Sequence, residues 1–302
     1  NMQIHEFNSN QPETLDFIAK VRERVDGHGD NMTVGELAPG SYGLMVEYTK
    51  GSHRLHTAYA FDFLSAWPGV EKMADILAQW REGPDDGWPS WAFSNHDVTR
   101  VATRWGEAIG CPPPRAAPIF AALLLSLRGT IFLYQGEELG LPEADVPFEK
   151  LQDPWGIAGW PATKGRDGCR TPIPWKDETL AGFTRAKEPW LPIDARQRLL
   201  AVDKQEKLAE SMLHTTRRLI ELRKASPALV SGAFRVIEAA SGLLVFDRER
   251  DGEHIQCVFN FTNSDTSRAY AAKPVVLWSA EAVLNGATLM LPPFSAAILK
   301  LS

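Results

Sequence analysis

Trp91-Ala92-Phe93-Ser94-Asn95-His96-Asp97 is a short apolar run that stops in an amide, an imidazole and a carboxylate. Core packing has no use for three polar groups in a row where a strand ends. Catalysis does, because strand ends are rigid places to mount reactive side chains. Arg100 follows three residues later and adds a fixed positive charge.

Working outward, Pro12-Glu13 opens a helical pattern with Leu15, Ile18, Val21 and Val25 on one face, stopped by Gly27 and Gly29. Met32-Thr33-Val34-Gly35 reads as a strand ending at Glu36, followed by a Gly/Pro/Ser/Tyr loop. Residues 58–64 read as the next strand and residues 70–80 as a helix. After the opening run, residues 115–127 form a helix that is apolar nearly all round and therefore buried. Residues 130–134 are a β-branched and aromatic strand that ends at Gln135-Gly136-Glu137-Glu138-Leu139-Gly140. Residues 141–200 are rich in Pro, Gly and Trp without periodicity, a long loop of the kind that carries function. Residues 204–223 return to a helix, ended by Ser226-Pro227.

Strand–helix alternation up to residue 228 predicts a parallel sheet with crossover helices. Polar groups sit at the C-terminal ends of three of its four strands, the face on which a (β/α)8 barrel builds its active site. Four strands are half of such a barrel, so this is either an open α/β sheet or a half-barrel. From residue 229 to 302 the pattern changes to short strands, at 234–237, 243–246, 255–261, 275–278, 287–291 and 296–301, separated by Gly, Asn, Asp and Pro. This tail reads as a small antiparallel β domain.

With 302 residues and 44% apolar content, one large domain plus a small one can form. A net charge of -6 without any basic run argues against a nucleic-acid partner. The longest apolar stretch, residues 116–127, is broken by Pro118 and Ser126 and followed by Arg128, so no membrane segment is expected. Cys111, Cys169 and Cys257 are odd in number, far apart and without metal-ligand spacing. They argue against a disulfide framework and for a reducing, cytoplasmic compartment. The start at Asn1-Met2-Gln3 shows no signal peptide, which says little about location. Ten tryptophans serve either core packing or sugar stacking.

Glu36 ends an apolar strand just after Gly35, where a partly desolvated carboxyl would suit a general acid; a helix-capping or ion-paired surface Glu would look the same. Asp97, beside His96 and near Arg100, would be a carboxylate held ionised to stabilise a positively charged transition state, although Asn-His-Asp is also a common turn. Two such carboxylates on one rim suit glycosidic bond cleavage, where an acid and an anion flank an oxocarbenium-like centre.

Phe93-Ser94-Asn95-His96-Asp97 resembles the F-x-N-H-D signature of the α-amylase family of glycoside hydrolases. Met32-Thr33-Val34-Gly35-Glu36 resembles the strand carrying that family's acid/base Glu, and the segment from Gln135 to Gly140 resembles the one after its eighth strand. Gly165-Arg166-Asp167-Gly168-Cys169-Arg170-Thr171-Pro172 and the following Ile173-Pro174-Trp175 resemble R-D-x-x-R-T-P-x-x-W of the α-glucosidase and oligo-1,6-glucosidase branch. All four occur in the family's order.

The resemblance implies strands five to eight of a (β/α)8 barrel (residues 1–228) followed by a β-sandwich (residues 229–302). It implies Glu36 as general acid/base, Asp97 as the carboxylate that binds and distorts the reacting glucose, and His96 as a donor to the same ring. Arg170, or else Arg166, would reach the glucose, while Arg100 would orient neighbouring carboxylates from the same substrate-binding group. Glu137 and Glu138 would be structural, and Trp155, Trp160 and Trp175 would either wall the pocket or pack within the loop.

The family's nucleophile, an Asp after strand four in a G-F-R-x-D type segment, has no counterpart here; Asp62 ends no such motif, and its strand matches the sixth. The first four strands, the nucleophile and any calcium-binding loop are therefore expected before Asn1. This chain would need that N-terminal half as its partner, with no cofactor or metal of its own.

The implied activity is retaining hydrolysis of short α-glucosides, with the nucleophile about 5 Å from Glu36. Transglucosylation or isomerisation on the same residues is the second reading. A non-catalytic transporter subunit, the third, would be expected to lose Glu36 or Asp97 and to carry a transmembrane helix.

Overall fold

The computed structural model describes residues 7–8, 11–37, 42–80 and 87–301. Four parallel strands, β1 (Val34–Glu36), β2 (Thr57–Ala60), β3 (Pro89–Trp91) and β4 (Thr130–Ile131), pair in sequential order. That is the order in which a (β/α)8 barrel lays down its strands. Each ladder is shorter than its apolar run. Phe61 to Leu64 leave the sheet as a tight turn, and Ala92 and Phe93 stay buried beyond the last ladder residue of β3.

Helices α1 (Glu13–Asp26), α2 (Tyr42–Thr49), α3 (Val70–Ala78), α4 (Val101–Ile109) and α5 (Pro113–Ser126) alternate with these strands. Of the loop expected after Glu36, residues 38–41 lie outside the described residues, and the chain from Tyr42 onward is helix α2. Helix α4 had also escaped the sequence reading, although Val101, Ala102 and Trp105 form a buried face and Gly110 closes it. Helix α5 is buried on every side from Ala116 to Ser126 apart from Pro118, as its composition predicts.

The long loop contains α6 (Pro154–Gly159) and α7 (Ala195–Arg198). Beyond it the single helix expected over residues 204–223 is two helices, α8 (Val202–Gln205) and α9 (Met212–Ala225), followed by α10 (Pro227–Ser231). Gln205 causes the break. Its amide donates to Leu139 and Leu200 carbonyls at 2.9 and 2.8 Å, and its Oε1 accepts from Leu213 N at 2.9 Å, while Ser211 caps the new helix. Leu208, part of the apolar spacing that suggested continuity, is exposed.

The boundary expected at 228/229 falls inside α10; the chain turns into sheet only after Gly232. Strands β5 (Ala233–Ala240), β6 (Leu243–Arg250), β7 (Glu253–Asn260), β8 (Thr266–Ala269), β9 (Val275–Ala280), β10 (Val283–Asn285), β11 (Thr288–Leu291) and β12 (Ser295–Lys300) make two antiparallel sheets. Their orders are β5-β6-β7-β12-β9 and β10-β11-β8. The β6/β7 hairpin turns on Asp251-Gly252, both at positive φ (52° and 80°), the conformation that suits a two-residue loop to strand twist. Polar Thr266–Ala269 gave no apolar signal, so β8 was not legible.

Period-two alternation buries both faces of the five-stranded sheet. Leu244, Phe246, Cys257, Phe259, Ala296 and Ile298 join the core shared with α3, α5 and α9, while Val245, Val258, Ala297 and Leu299 pack on Leu289 and Leu291 of the small sheet. All three cysteines are free and buried. No single described helix is long and apolar enough to cross a membrane.

Two buried arginines seal the junction. Arg223 donates to the carbonyls of Leu125, Leu127 and Leu229 (2.8, 2.6 and 2.8 Å) and of Gly129 (2.5 Å). Arg248 donates to those of Ser126, Leu229 and Gly232. Arg223→Met should therefore strand several buried carbonyls and cost about 3 kcal/mol or more of stability. Urea unfolding of the purified protein measures this, and an unchanged midpoint would contradict the role.

Candidate active site

The C-terminal ends of β1 to β4 open onto one cleft of about 410 Å³, lined by Val34, Gly35, Glu36, Tyr59, Ser94, Asn95, His96, Phe132, Leu133 and Tyr134. The loop after β3 is built from local hydrogen bonds. Asn95 Oδ1 accepts from Asp97 N at 2.8 Å, and Ser94 Oγ accepts from Val101 N at 2.8 Å, capping α4. From α4, Arg104 donates to the carbonyls of Phe93 (2.7 Å), Phe63 (3.0 Å) and Ser65 (2.8 Å), so one guanidinium ties together the ends of two strands. Burial pulls its pKa down to about 10, which still leaves it charged at neutral pH.

Asp97 is the convergence point. Its Oδ1 accepts from Arg166 Nη1 at 3.1 Å and Arg170 Nη2 at 3.0 Å, and its Oδ2 lies 3.5 Å from His96 Nε2. Arg170 Nε also donates to the His96 carbonyl at 2.6 Å, so it fixes the backbone as well as the carboxylate. Each contact alone is a half-exposed ion pair worth less than about 1 kcal/mol. Their effect is orientation: two guanidinium groups from a loop some seventy residues away take one oxygen and leave the other to His96.

Arg166 is itself anchored. Its Nε and Nη2 bond the two oxygens of Asp153 at 2.9 and 3.0 Å. The sequence had to choose between Arg166 and Arg170, and the structure puts both on Asp97.

Glu36 lines the same cleft but is exposed, so the partial desolvation expected of it does not hold for this chain. Arg100, expected among the substrate-binding residues, does not line the cleft. It is 1% exposed, with Nη1 on Gln135 O (2.6 Å), Nη2 on Cys169 O (3.0 Å) and its Cζ 5.4 Å from the centroid of the Tyr134 ring. Full burial leaves it no surface for a sugar, and it braces the rim from beneath. Gly136, at φ +91°, makes room for it, since a Cβ there would lie 2.6 Å from Arg100 Nη1.

Trp155, Trp160 and Trp175 are exposed and none lines the cleft; Trp160 packs on Phe148 with ring centroids 5.5 Å apart. Glu138 accepts from Gly136 N at 2.7 Å, within its own turn.

Tyr59 and Tyr134 were missed. Tyr59 stands between fully buried Ala58 and Ala60, and that interruption of a small-residue strand by a phenol was the available signal. Burial raises its pKa, offset by a hydrogen bond with Asn95; the negative charges of Glu137, Glu36 and Asp97 raise it further. This hydroxyl senses carboxylates from three of the four strand ends.

Among the described residues, one group of three side chains has the spacing of a metal site, Asp247, Glu249 and His254 in the β domain. Arg235 Nη2 already bridges those carboxylates, at 2.8 and 2.9 Å.

Residues 1–232 match the family described as alpha amylase, catalytic domain. A probable alpha-glucosidase of Rhizobium meliloti (strain 1021) is 40% identical over 276 residues, covering 90% of this chain and 50% of that protein. An oligo-1,6-glucosidase of Heyndrickxia coagulans is 28% identical, covering 87% and 54%. The chain thus spans about half the length of these curated relatives. A crystal structure of an alpha-glucosyl transfer enzyme, XgtA, superposes with a TM-score of 0.87 at 39% identity, covering 99% of this chain and 56% of that one.

Below the cleft, Glu137 accepts from Tyr134 N at 2.8 Å, and burial pushes its pKa up to about 7 against the hydrogen bonds from Tyr134 N and Ser94 and the charge of Arg100. A raised carboxyl pKa means that the folded state binds the proton more tightly than the unfolded one. Its contribution is fully present below about pH 4.5 and lost as pH rises through about 7. Glu137→Gln should remove that slope, narrowing the stability gap between pH 4.5 and 7.5 by up to about 3 kcal/mol. Urea midpoints at the two pH values test this; an unchanged gap would count against the assignment.

Proposed function

Because the chain belongs to the α-amylase family, we propose that β1 to β4 are strands five to eight of a (β/α)8 barrel and that the β domain is its C-terminal sandwich. The complete protein then acts as a retaining α-glucosidase on the terminal glucose of short α-glucosides. The observation that carries this reading is the doubly arginine-bound Asp97, with His96, which lines the same cleft as Glu36, on its free side. β1 and β4 are the outer strands of the described sheet, so both would be completed by a preceding half-barrel that also supplies the nucleophile.

In this mechanism a carboxylate from that half attacks the anomeric carbon while Glu36 protonates the departing glycosidic oxygen. Glu36, now ionised, takes a proton from the water that attacks the glucosyl-enzyme, which frees glucose and restores both carboxyl groups. Exposure of Glu36 in this chain fits the reading, because an acid at the middle of the rim is shielded only once the barrel and substrate close over it. Asp97 accepts hydrogen bonds from sugar hydroxyls through the oxygen the arginines leave open, and His96 donates to the same ring. No residue of this chain is assigned to a metal or cofactor; a calcium ion would belong to the other half. Three free, buried thiols fit a cytoplasmic location.

A second reading, glucosyl transfer to a sugar or alcohol, is favoured by the 39% identity to an alpha-glucosyl transfer enzyme. The two reactions would use the same residues of this chain and differ only in whether water or another hydroxyl attacks the glucosyl-enzyme. Glu36→Gln in the complete enzyme should lower turnover of an α-glucoside by about 10³-fold or more. Unchanged turnover would sink the assignment, and the ratio of free to transferred glucose decides between the two reactions.

A further inference from the structure

We infer that Asp153 is a positioning residue of this cleft: its buried carboxylate locks the Arg166 guanidinium so that one remaining nitrogen is held on Asp97. The inference rests on the reading of Asp97 as the carboxylate that meets the sugar.

The Asp153 side chain is fully buried and every described contact it makes is directed. Oδ2 accepts from Arg166 N at 2.8 Å and Arg166 Nε at 2.9 Å; Oδ1 accepts from Arg166 Nη2 at 3.0 Å and from Trp155 N at 3.2 Å. A carboxylate paired edge-on with a guanidinium fixes the plane of both groups. Only Nη1 is left, and it is the atom that reaches Asp97 Oδ1. Asp153 is held in turn from behind, because Asp167 Oδ2 accepts from the backbone N–H groups of Gln152 (2.6 Å) and Asp153 (2.8 Å). Asp167 is 2% exposed, so the clamp has a rigid foundation.

The two arginines on Asp97 therefore differ in kind. The Arg170 side chain bonds Asp97 and the His96 carbonyl, both in the loop after β3. Arg166 refers Asp97 to a separate body, the α6 region. Arg166 holds the Asp153 carboxyl well below the usual carboxylate range, so the anchor stays anionic wherever the enzyme works.

The alternative is that Asp153 merely caps α6 and closes its loop. Asn caps a helix about as well as Asp but cannot reproduce a charged bidentate pair, so Asp153→Asn separates the two roles. In the complete enzyme, kcat and KM for an α-glucoside are measured for Asp153→Asn, Arg166→Gln and the double variant, with melting temperatures recorded alongside. Asp153→Asn is expected to melt within a few degrees of the parent and to lose about 10- to 100-fold, mainly in kcat. The double variant is expected to be no worse than Arg166→Gln alone, because Asp153 acts through Arg166.

Undiminished kcat in Asp153→Asn, or losses that multiply in the double variant, would overturn the inference. If Asp153→Asn does not fold, Arg166→Lys decides, since one ammonium cannot hold both carboxylates: full activity overturns the proposal and a comparable loss supports it. Glu36→Gln is run beside them. If it leaves turnover intact, the proposed function has failed. If it abolishes turnover while Asp153→Asn works normally, only the positioning role has failed.

Discussion

Every part of the molecule depends on how the carbonyls at the end of α5 are satisfied. That helix is buried on nearly all sides, so water cannot reach its C-terminal carbonyls, and the chain must still turn there into β4. Arg223 from α9 and Arg248 from β6 supply the missing donors. Burial lowers the Arg223 pKa to about 10, which leaves it charged at neutral pH, so these bonds are charge-assisted and favourable to the helix dipole. The same two side chains bond carbonyls of α10 and the entry to β5. β4, α9, α10 and the β domain consequently pack together around these two side chains.

The cleft uses this principle at the other end of the strands. Arg104 and Arg100 satisfy carbonyls beneath the rim, and Arg166 and Arg170 orient a carboxylate above it. Four arginines within a short span of the fold therefore do different work: Arg100 and Arg104 bond backbone oxygens, and Arg166 and Arg170 also reach the Asp97 carboxyl. Charge alone does not separate these roles. Arg100 and Arg170 look alike in a motif, yet one is sealed in the core and the other faces the open side of the strand ends.

Legibility of the sequence followed the range of the interactions. The strand end at Glu36, the buried α5 and the shift to a β domain came from local pattern and the structure contains each of them, whereas β3 stops at Trp91 and Asp97 lies beyond it in a turn. What escaped depends on contacts across distance in the chain. Gln205 breaks a helix because it bonds Leu139, and Asp153 matters because of Arg166 thirteen residues on. Arg100 is held in the core by the carbonyls of Gln135 and Cys169, thirty-five and sixty-nine residues on. Tyr59 becomes part of the site only when Asn95 and three carboxylates are brought around it. The exposed Glu36 differs from expectation for a physical reason of the same kind, since desolvation is a property of what packs over a strand end and not of the strand itself.

The three buried thiols give this architecture a set of internal reporters. Burial raises Cys111 to about 11 and Cys169 and Cys257 to about 12, so at neutral pH almost none is present as thiolate. Cys111 sits at the α4–α5 corner, Cys169 within the arginine loop, and Cys257 in the sheet face that shares a core with α3, α5 and α9. Each is silent towards alkylating reagents until its own region opens. The order in which they become labelled is thus a map of which layer of the molecule loosens first.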